Sequence, residues 1–234
     1  MRTNEQIDRI KSRFSDPYKV DNFLSADDVI HLIKIFNDHA GDYTHKNTGP
    51  ITLDLYPYFE DPIVKRILED LKTQIGDYRI DGAFFFHVDY PHILHIDDTF
   101  ELKDVYKGIT IPLRAEGLKT DVFPKICFFN QHYFLGPAKF FRDELDMPAY
   151  YNTPVFDYSS VDGKIGGKFD VAQRLKYFTH LKPRWLDGLS LHSAIDWKPT
   201  SIVIFDSTRI HCASDFRTLD IKSKLGISIF TRKP

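Results

Sequence analysis

The sequence predicts an α+β fold in which β-structure dominates, and three observations lead there. Helical patterns with clear start and stop signals are confined to residues 1–78. From residue 79 onward they give way to short apolar runs punctuated by Pro, Gly and Asp. Aromatic content is 15%, with 20 Phe and 12 Tyr, which suits half-buried strands and a well-filled core. Helices that precede a run of strands are expected on one side of a sheet. Several short strands with turn signals between them suggest a sandwich or barrel.

The elements follow in order. Thr3-Asn4-Glu5-Gln6 reads as a capping box for a short helix with Ile7, Ile10 and Phe14 on one face, ended by Asp16-Pro17. Ser25 and Asp28 cap a stronger helix carrying Val29, Ile30, Leu32, Ile33 and Phe36, with Gly41 as its stop. Ile51–Tyr58 alternates as a strand. Asp61-Pro62 then opens a helix on which Ile63, Ile67, Leu71 and Ile75 recur every fourth residue, closed by Gly76. Strands are expected at Gly82–Val88, Ile93–Asp97, Gly108–Arg114, Lys125–Tyr133, Ser201–Phe205 and Lys224–Phe230. Residues 136–199 interrupt them with a long insertion, helical at Val171–His180 and again around Trp185–Ala194. Its aromatics (Tyr150, Tyr151, Phe156, Tyr158, Trp185, Trp197) argue for a packed insertion that serves as a lid over a site. The 234 residues are therefore read as one domain: support at 1–78, core at 79–135 and 200–232, insertion at 136–199.

Bulk properties narrow the function. A net charge of -2 lacks the basic footprint that nucleic-acid binding requires, so no nucleic-acid partner is expected. Cys127 and Cys212 lie in apolar runs and read as buried free thiols; two cysteines make no disulfide framework. No apolar run reaches membrane-spanning length and residues 1–5 start no signal peptide, so a cytoplasmic protein with no membrane contact is expected. The sequence is silent on oligomeric state.

The chemistry concentrates in His95-Ile96-Asp97. On a strand, residues two apart share a face, so His95 and Asp97 can address one point. The apolar run Ser201–Phe205 is followed by a turn at Asp206-Ser207 and then by His211. If His211 meets the other two, two imidazoles and a carboxylate form a facial metal triad of the kind non-haem Fe(II) oxygenases use. By the same parity His92 and Asp98 face away, His92 with a structural role and Asp98 solvated or capping a turn. His87 reads as a satisfied core or rim histidine. Cys212, next to His211, is read as core.

The pattern H-x-D, then an apolar-x-x-F-D-x-x-x-x-H strand, then a basic residue opening the last strand resembles the Fe(II)/2-oxoglutarate-dependent oxygenase superfamily. The resemblance covers roughly residues 20–135 and 200–231. It implies a double-stranded β-helix (jelly-roll, cupin-like) core with the N-terminal helices packed on one sheet. It implies Fe(II) held by His95, Asp97 and His211, with 2-oxoglutarate and O2 as co-substrates. The far carboxylate of 2-oxoglutarate then needs a buried cation. Lys224 in Lys224-Leu225-Gly226-Ile227-Ser228 is implied, with Lys222 as the runner-up on the same face and Ser228 beside it. Asn130, Arg209 and Arg114 are further candidates for contact with co-substrate or substrate. Because Asp97 fills the carboxylate position, hydroxylation is implied and halogenation is not. The expected substrate is a small polar metabolite such as an amino acid or its derivative. Alternatives are a protein side chain, a cupin-type protein holding another divalent metal, and a non-enzymatic interaction module.

Overall fold

The structure, a computed structural model, describes residues 2–39, 42–43, 50–98, 104–119, 121–136 and 160–234. Helix α1 (Asn4–Lys11) begins at a capping box, with the Thr3 hydroxyl accepting from the Gln6 N–H and the Gln6 side chain accepting from the Thr3 N–H. Helix α2 (Ala26–Asp38) repeats the device with Ser25 and Asp28, and Arg66 donates to Asp28 at 2.7 Å, tying this cap to the next helix. The stop expected at Gly41 lies outside the described residues. Helix α3 (Pro62–Ile75) starts at Asp61, whose carboxylate accepts from the N–H groups of Ile63 and Val64.

Two antiparallel sheets carry the rest. The strands are β1 (Tyr18–Val20), β2 (Ile51–Asp54), β3 (Arg79–Val88), β4 (Val105–Glu116), β5 (Lys125–His132), β6 (Leu191–Asp196), β7 (Ile202–Asp206), β8 (Arg209–Ala213) and β9 (Ser223–Arg232). The major sheet has the order β1-β7-β4-β9-β3-β2, the minor sheet β6-β5-β8. Alternation divides the major sheet cleanly. Ala83, Phe85, Ile109, Ile111, Ile204, Ile227 and Ile229 are buried on one face, packed with Leu32, Phe36, Ile67 and Leu71 of α2 and α3. At roughly 1.5–3 kcal/mol for each large apolar side chain, this layer is the main source of stability. The opposite face turns Phe84, Phe86, Lys224, Gly226 and Ser228 toward the minor sheet. Between the sheets lies a second apolar cluster of Ile126, Phe128, Trp197, Val203 and Phe205.

Several expected elements differ. The strand expected over Ile51–Tyr58 stops at Asp54, and Tyr56–Tyr58 is a 3-10 turn, because Pro57 cannot donate to a ladder. The insertion's first helix is shorter than expected, α4 (Val171–Tyr177). Its second is only α5 (Pro183–Leu186), and Leu191–Asp196 is strand β6, hydrogen-bonded to β5. Of the insertion aromatics, Tyr150, Tyr151, Phe156 and Tyr158 lie outside the described residues. Phe169, Phe178, Trp185 and Leu186 pack against Phe129 and Ile210 of the minor sheet. Ile93–Asp97 is not a regular strand: it contacts β8 through a single bridge, His95 to His211.

Candidate metal centre

That bridge is what assembles the site. The His95 N–H donates to the His211 carbonyl at 2.9 Å, and the His211 N–H to the His95 carbonyl at 3.0 Å. The Asp97 N–H donates to the Ser207 carbonyl at 2.9 Å, which fixes the third residue. One donor atom from each of His95, Asp97 and His211 lies within 4.8 Å of the others. His95 Nε2 is 3.5 Å from Asp97 Oδ1, and His211 Nε2 is 3.6 Å from Asp97 Oδ2. Ligands at about 2.1 Å from a metal, at right angles, stand about 3 Å apart, so these spacings fit a facial site with little adjustment.

The tautomers fit as well. His95 Nδ1 is 2.7 Å from the Ile93 carbonyl, and His211 Nδ1 is 2.9 Å from the Arg209 carbonyl. A carbonyl only accepts, so each Nδ1 carries the proton and each Nε2 presents a lone pair to the shared point. Phe205 and Phe128 wall His211, with ring centroids 4.6 and 5.7 Å from its own. Gly108 makes room: a Cβ there would meet the Phe205 ring at 2.6 Å and Asp97 Oδ2 at 3.1 Å. The donor set of two neutral imidazoles and one carboxylate suits Fe(II).

The donors face a cavity of about 300 Å³ between the sheets. Its walls include Phe84, Phe86, Val88, Thr110, Trp197, Ser228 and Phe230. Lys224 reaches into it, 4% exposed. Among the described residues no carboxylate lies within ion-pair distance of its ammonium, which instead sits 4.1 Å from the ring centre of Trp197 and 5.1 Å from that of Phe216. Burial pushes its pKa down to about 7, and the nearby thiols of Cys127 and Cys212 offset this only in part. Thr110 and Ser228 are cross-strand partners on this same wall. A buried cation beside two hydroxyl-bearing residues is a chemical match for a carboxylate.

The other sequence candidates separate. Ser228 lines the cavity with Lys224. Lys222, expected on the same face, is exposed and lies before β9 begins, where the chain is still turning. Asn130 is exposed and donates to Ser190. Arg209 is buried outside the cavity, where it donates to the Phe129 carbonyl at 3.1 Å beside the Lys107–Asp206 ion pair. Arg114 is absent from the cavity wall, and His87 is half-buried on the other face of the sheet, its ring 6.3 Å from that of Phe36. Cys212 is buried as expected but also touches the cavity. His92 corrects the parity argument. Its ring lies 4.3 Å from that of His95 and lines the cavity, because the register slips one place between His92–Ala213 and His95–His211. Thr110 and Gly108 carried no sequence signal, Trp197 was read only as a packing aromatic of the insertion and Gly226 only as part of the Lys224–Ser228 run, since only the strand pairing puts them here.

Asp98 also departs from expectation. It is buried and holds Arg2 in a bidentate ion pair, one arm at 2.7 Å, with both side chains sealed from solvent. Arg2 further donates to the Phe134 carbonyl at 3.0 Å. The pair clamps the chain next to Asp97. Replacing Asp98 with Ala strands a buried guanidinium and is expected to destabilise the fold by roughly 3–5 kcal/mol. Chemical denaturation checks this, and a loss under 1 kcal/mol would show that the pair is not sealed.

No family model matches the sequence, and no curated protein matches it. Solved structures do. The non-heme alpha ketoglutarate dependent epimerase SnoN from nogalamycin biosynthesis matches with a TM-score of 0.54 at 12% identity, over 99% of this chain and 84% of that one. SnoN in complex with Fe3+, alpha ketoglutarate and nogalamycin RO matches with a TM-score of 0.53 at 11% identity, over 99% and 85%. The non-heme alpha ketoglutarate dependent carbocyclase SnoK matches with a TM-score of 0.54 at 9% identity, over 99% and 84%. Among the described residues no helix is long and apolar enough to cross a membrane. The likeness shows the fold: the chain is a double-stranded β-helix, the architecture of SnoN and SnoK, with two imidazoles and a carboxylate gathered inside it.

Proposed function

We propose that this protein is an Fe(II)- and 2-oxoglutarate-dependent dioxygenase that hydroxylates a small metabolite. The observation that carries the reading is one cavity holding both a His–Asp–His donor set and a buried ammonium with no carboxylate beside it among the described residues. A cupin-type metal protein has no use for that ammonium. His95, Asp97 and His211 would hold the iron on one face. Lys224, Thr110 and Ser228 would take the far carboxylate of 2-oxoglutarate. With both bound, the iron supplies the oxidising chemistry, in which 2-oxoglutarate and O2 yield succinate, CO2 and a hydroxylated substrate.

The protein's own part is position and exclusion of water. The carbonyls of Ile93 and Arg209 keep the two imidazoles in the metal-binding tautomer. Phe84, Phe86, Val88 and Phe230 line the cavity, so the oxidised carbon is expected on an apolar part of the substrate. Thr52 and Phe84 also border a wider cleft of about 650 Å³, with His39, Asp42, Asp54 and Tyr58 at its edge. A polar, hydrogen-bonding end of the substrate fits there. This supports a small metabolite with an apolar body and a polar end, an amino-acid derivative being one such compound.

The test is succinate release after anaerobic loading with Fe(II), then addition of 2-oxoglutarate and air against a metabolite panel. Slow release without substrate, stimulated by one class of metabolite, is expected. Iron-loaded protein that neither binds 2-oxoglutarate nor forms succinate would sink the reading.

A further inference from the structure

One wall of the cavity is built differently from the rest. On β9 the cavity face runs Lys224, Gly226, Ser228 and Phe230. Gly226 is the gap in that row, and the Trp197 indole fills it. A Cβ on Gly226 would lie 2.8 Å from two carbons of the six-membered ring and 2.9 Å from the Ile111 carbonyl. The seat therefore exists only because the residue is glycine. Trp197 follows β6 directly, held there by its backbone N–H, which donates to the Pro124 carbonyl at 2.7 Å. It is 2% exposed, and Phe86 packs edge-on against it at 5.6 Å.

Two polar features converge on this ring. The Lys224 ammonium lies over its face at 4.1 Å, so the indole quadrupole offsets part of the lost hydration without using any of the three ammonium donors. The indole Nε1–H is buried and has no acceptor among the described residues, although a buried Trp N–H ordinarily finds one. A carboxylate reaching Lys224 would be the natural acceptor for a donor placed beside it.

Building on the co-substrate reading above, we propose that Trp197, seated in the notch at Gly226, is the end stop of the 2-oxo acid slot and sets the chain length of the acid accepted. The ring limits how far the acid extends past Ser228, holds Lys224 by its face, and offers its N–H to the same carboxylate. A five-carbon diacid then satisfies both donors. A diacid one methylene longer meets the ring, and a monocarboxylic 2-oxo acid leaves both donors unpaired.

The test uses the full chain, loaded anaerobically with Fe(II), and reads binding by calorimetry, apart from turnover. Wild-type protein should bind 2-oxoglutarate at least about tenfold more tightly than 2-oxoadipate. Trp197→Ala should shrink that ratio about tenfold or more while Fe(II) still binds at one per chain. Trp197→Phe, which keeps a ring but loses the N–H and much of the cation–π attraction, should bind 2-oxoglutarate about fivefold to thirtyfold more weakly and keep its preference over 2-oxoadipate. Trp197 should also report directly, its fluorescence changing with 2-oxoglutarate in wild type and in Trp185→Phe. The proposal is overturned if both Trp197 variants fold, bind iron and keep the wild-type affinities. If wild-type protein binds iron but no 2-oxo acid, the co-substrate reading itself falls, and that result is read before any variant is made. Should Trp197→Ala fail to fold, Trp197→Phe alone decides.

Discussion

Iron binding will be lost when His211 is replaced with alanine and kept when His92 is. Both imidazoles touch the same cavity, and both lie near His95. Only His211 has its Nδ1 tied to a carbonyl while its Nε2 stands 3.6 Å from Asp97. Partners outside the ligand set typically change metal affinity 10–100-fold, so removing a ligand should cost more than about 100-fold. The measurement is iron per chain after anaerobic reconstitution and desalting, with near-UV circular dichroism to confirm the fold. His211→Ala should hold almost none, and His92→Ala close to one. Full occupancy in His211→Ala, or loss in His92→Ala, would overturn the assignment of His211 as the third ligand.

Replacing Lys224 with methionine should abolish co-substrate binding and make the protein more stable. A buried ammonium with no carboxylate beside it among the described residues is costly, and burial lowers its pKa to about 7. Methionine of similar shape removes that cost, on the order of a few kcal/mol at neutral pH. The sign with pH follows. Between about pH 7 and the ordinary lysine value of 10.5, the unfolded chain carries a proton here that the folded chain has shed. This group therefore makes stability rise with pH across that window, and the slope should vanish in Lys224→Met. Binding runs the other way. Above about pH 7 the free protein loses the charge that the far carboxylate needs, so affinity for 2-oxoglutarate should fall by up to about tenfold per unit. Thermal melts and calorimetry from pH 6 to 9 check both. A variant that melts lower at pH 7, or that still binds 2-oxoglutarate, contradicts the assignment.

The helix starts were legible because capping is local: Thr3 with Gln6, Ser25 with Asp28, and Asp61-Pro62 need only three or four residues each. The long strands β3, β4, β5 and β9 were legible from their apolar runs. His95, Asp97 and His211 could be picked out from motif spacing, yet strand parity was a poor guide to their neighbours. It assumes a regular ladder, and residues 92–97 make only one bridge with a slipped register. His92 consequently faces the cavity. Parity equally fails to separate Lys222 from Lys224, or Arg209 from His211, since each pair differs by two residues. The lysines are distinguished by where β9 begins, and Arg209 and His211, both on β8, by the register shift between their partners His132 and Phe128 on β5. The Trp197–Gly226 contact joins a turn to a strand from another part of the chain, and nothing local announces it.

The place of β9 in the middle of the major sheet has a consequence for how the protein is made. This strand, which follows the other described strands in sequence, inserts between β4 and β3. Until it arrives, β1-β7-β4 and β3-β2 are separate ribbons with bare edges, and such edges invite pairing with other chains. His95 and His211 come from opposite halves of the sequence, so their bridge closes late, and non-local pairing of this kind folds slowly. An intermediate in which residues 223–232 have not docked lacks Lys224, Ser228 and Phe230, and so one wall of the cavity beside the donor set. The same intermediate leaves the most sheet edge bare, which makes docking of β9 between β4 and β3 the step on which yield of folded protein should depend.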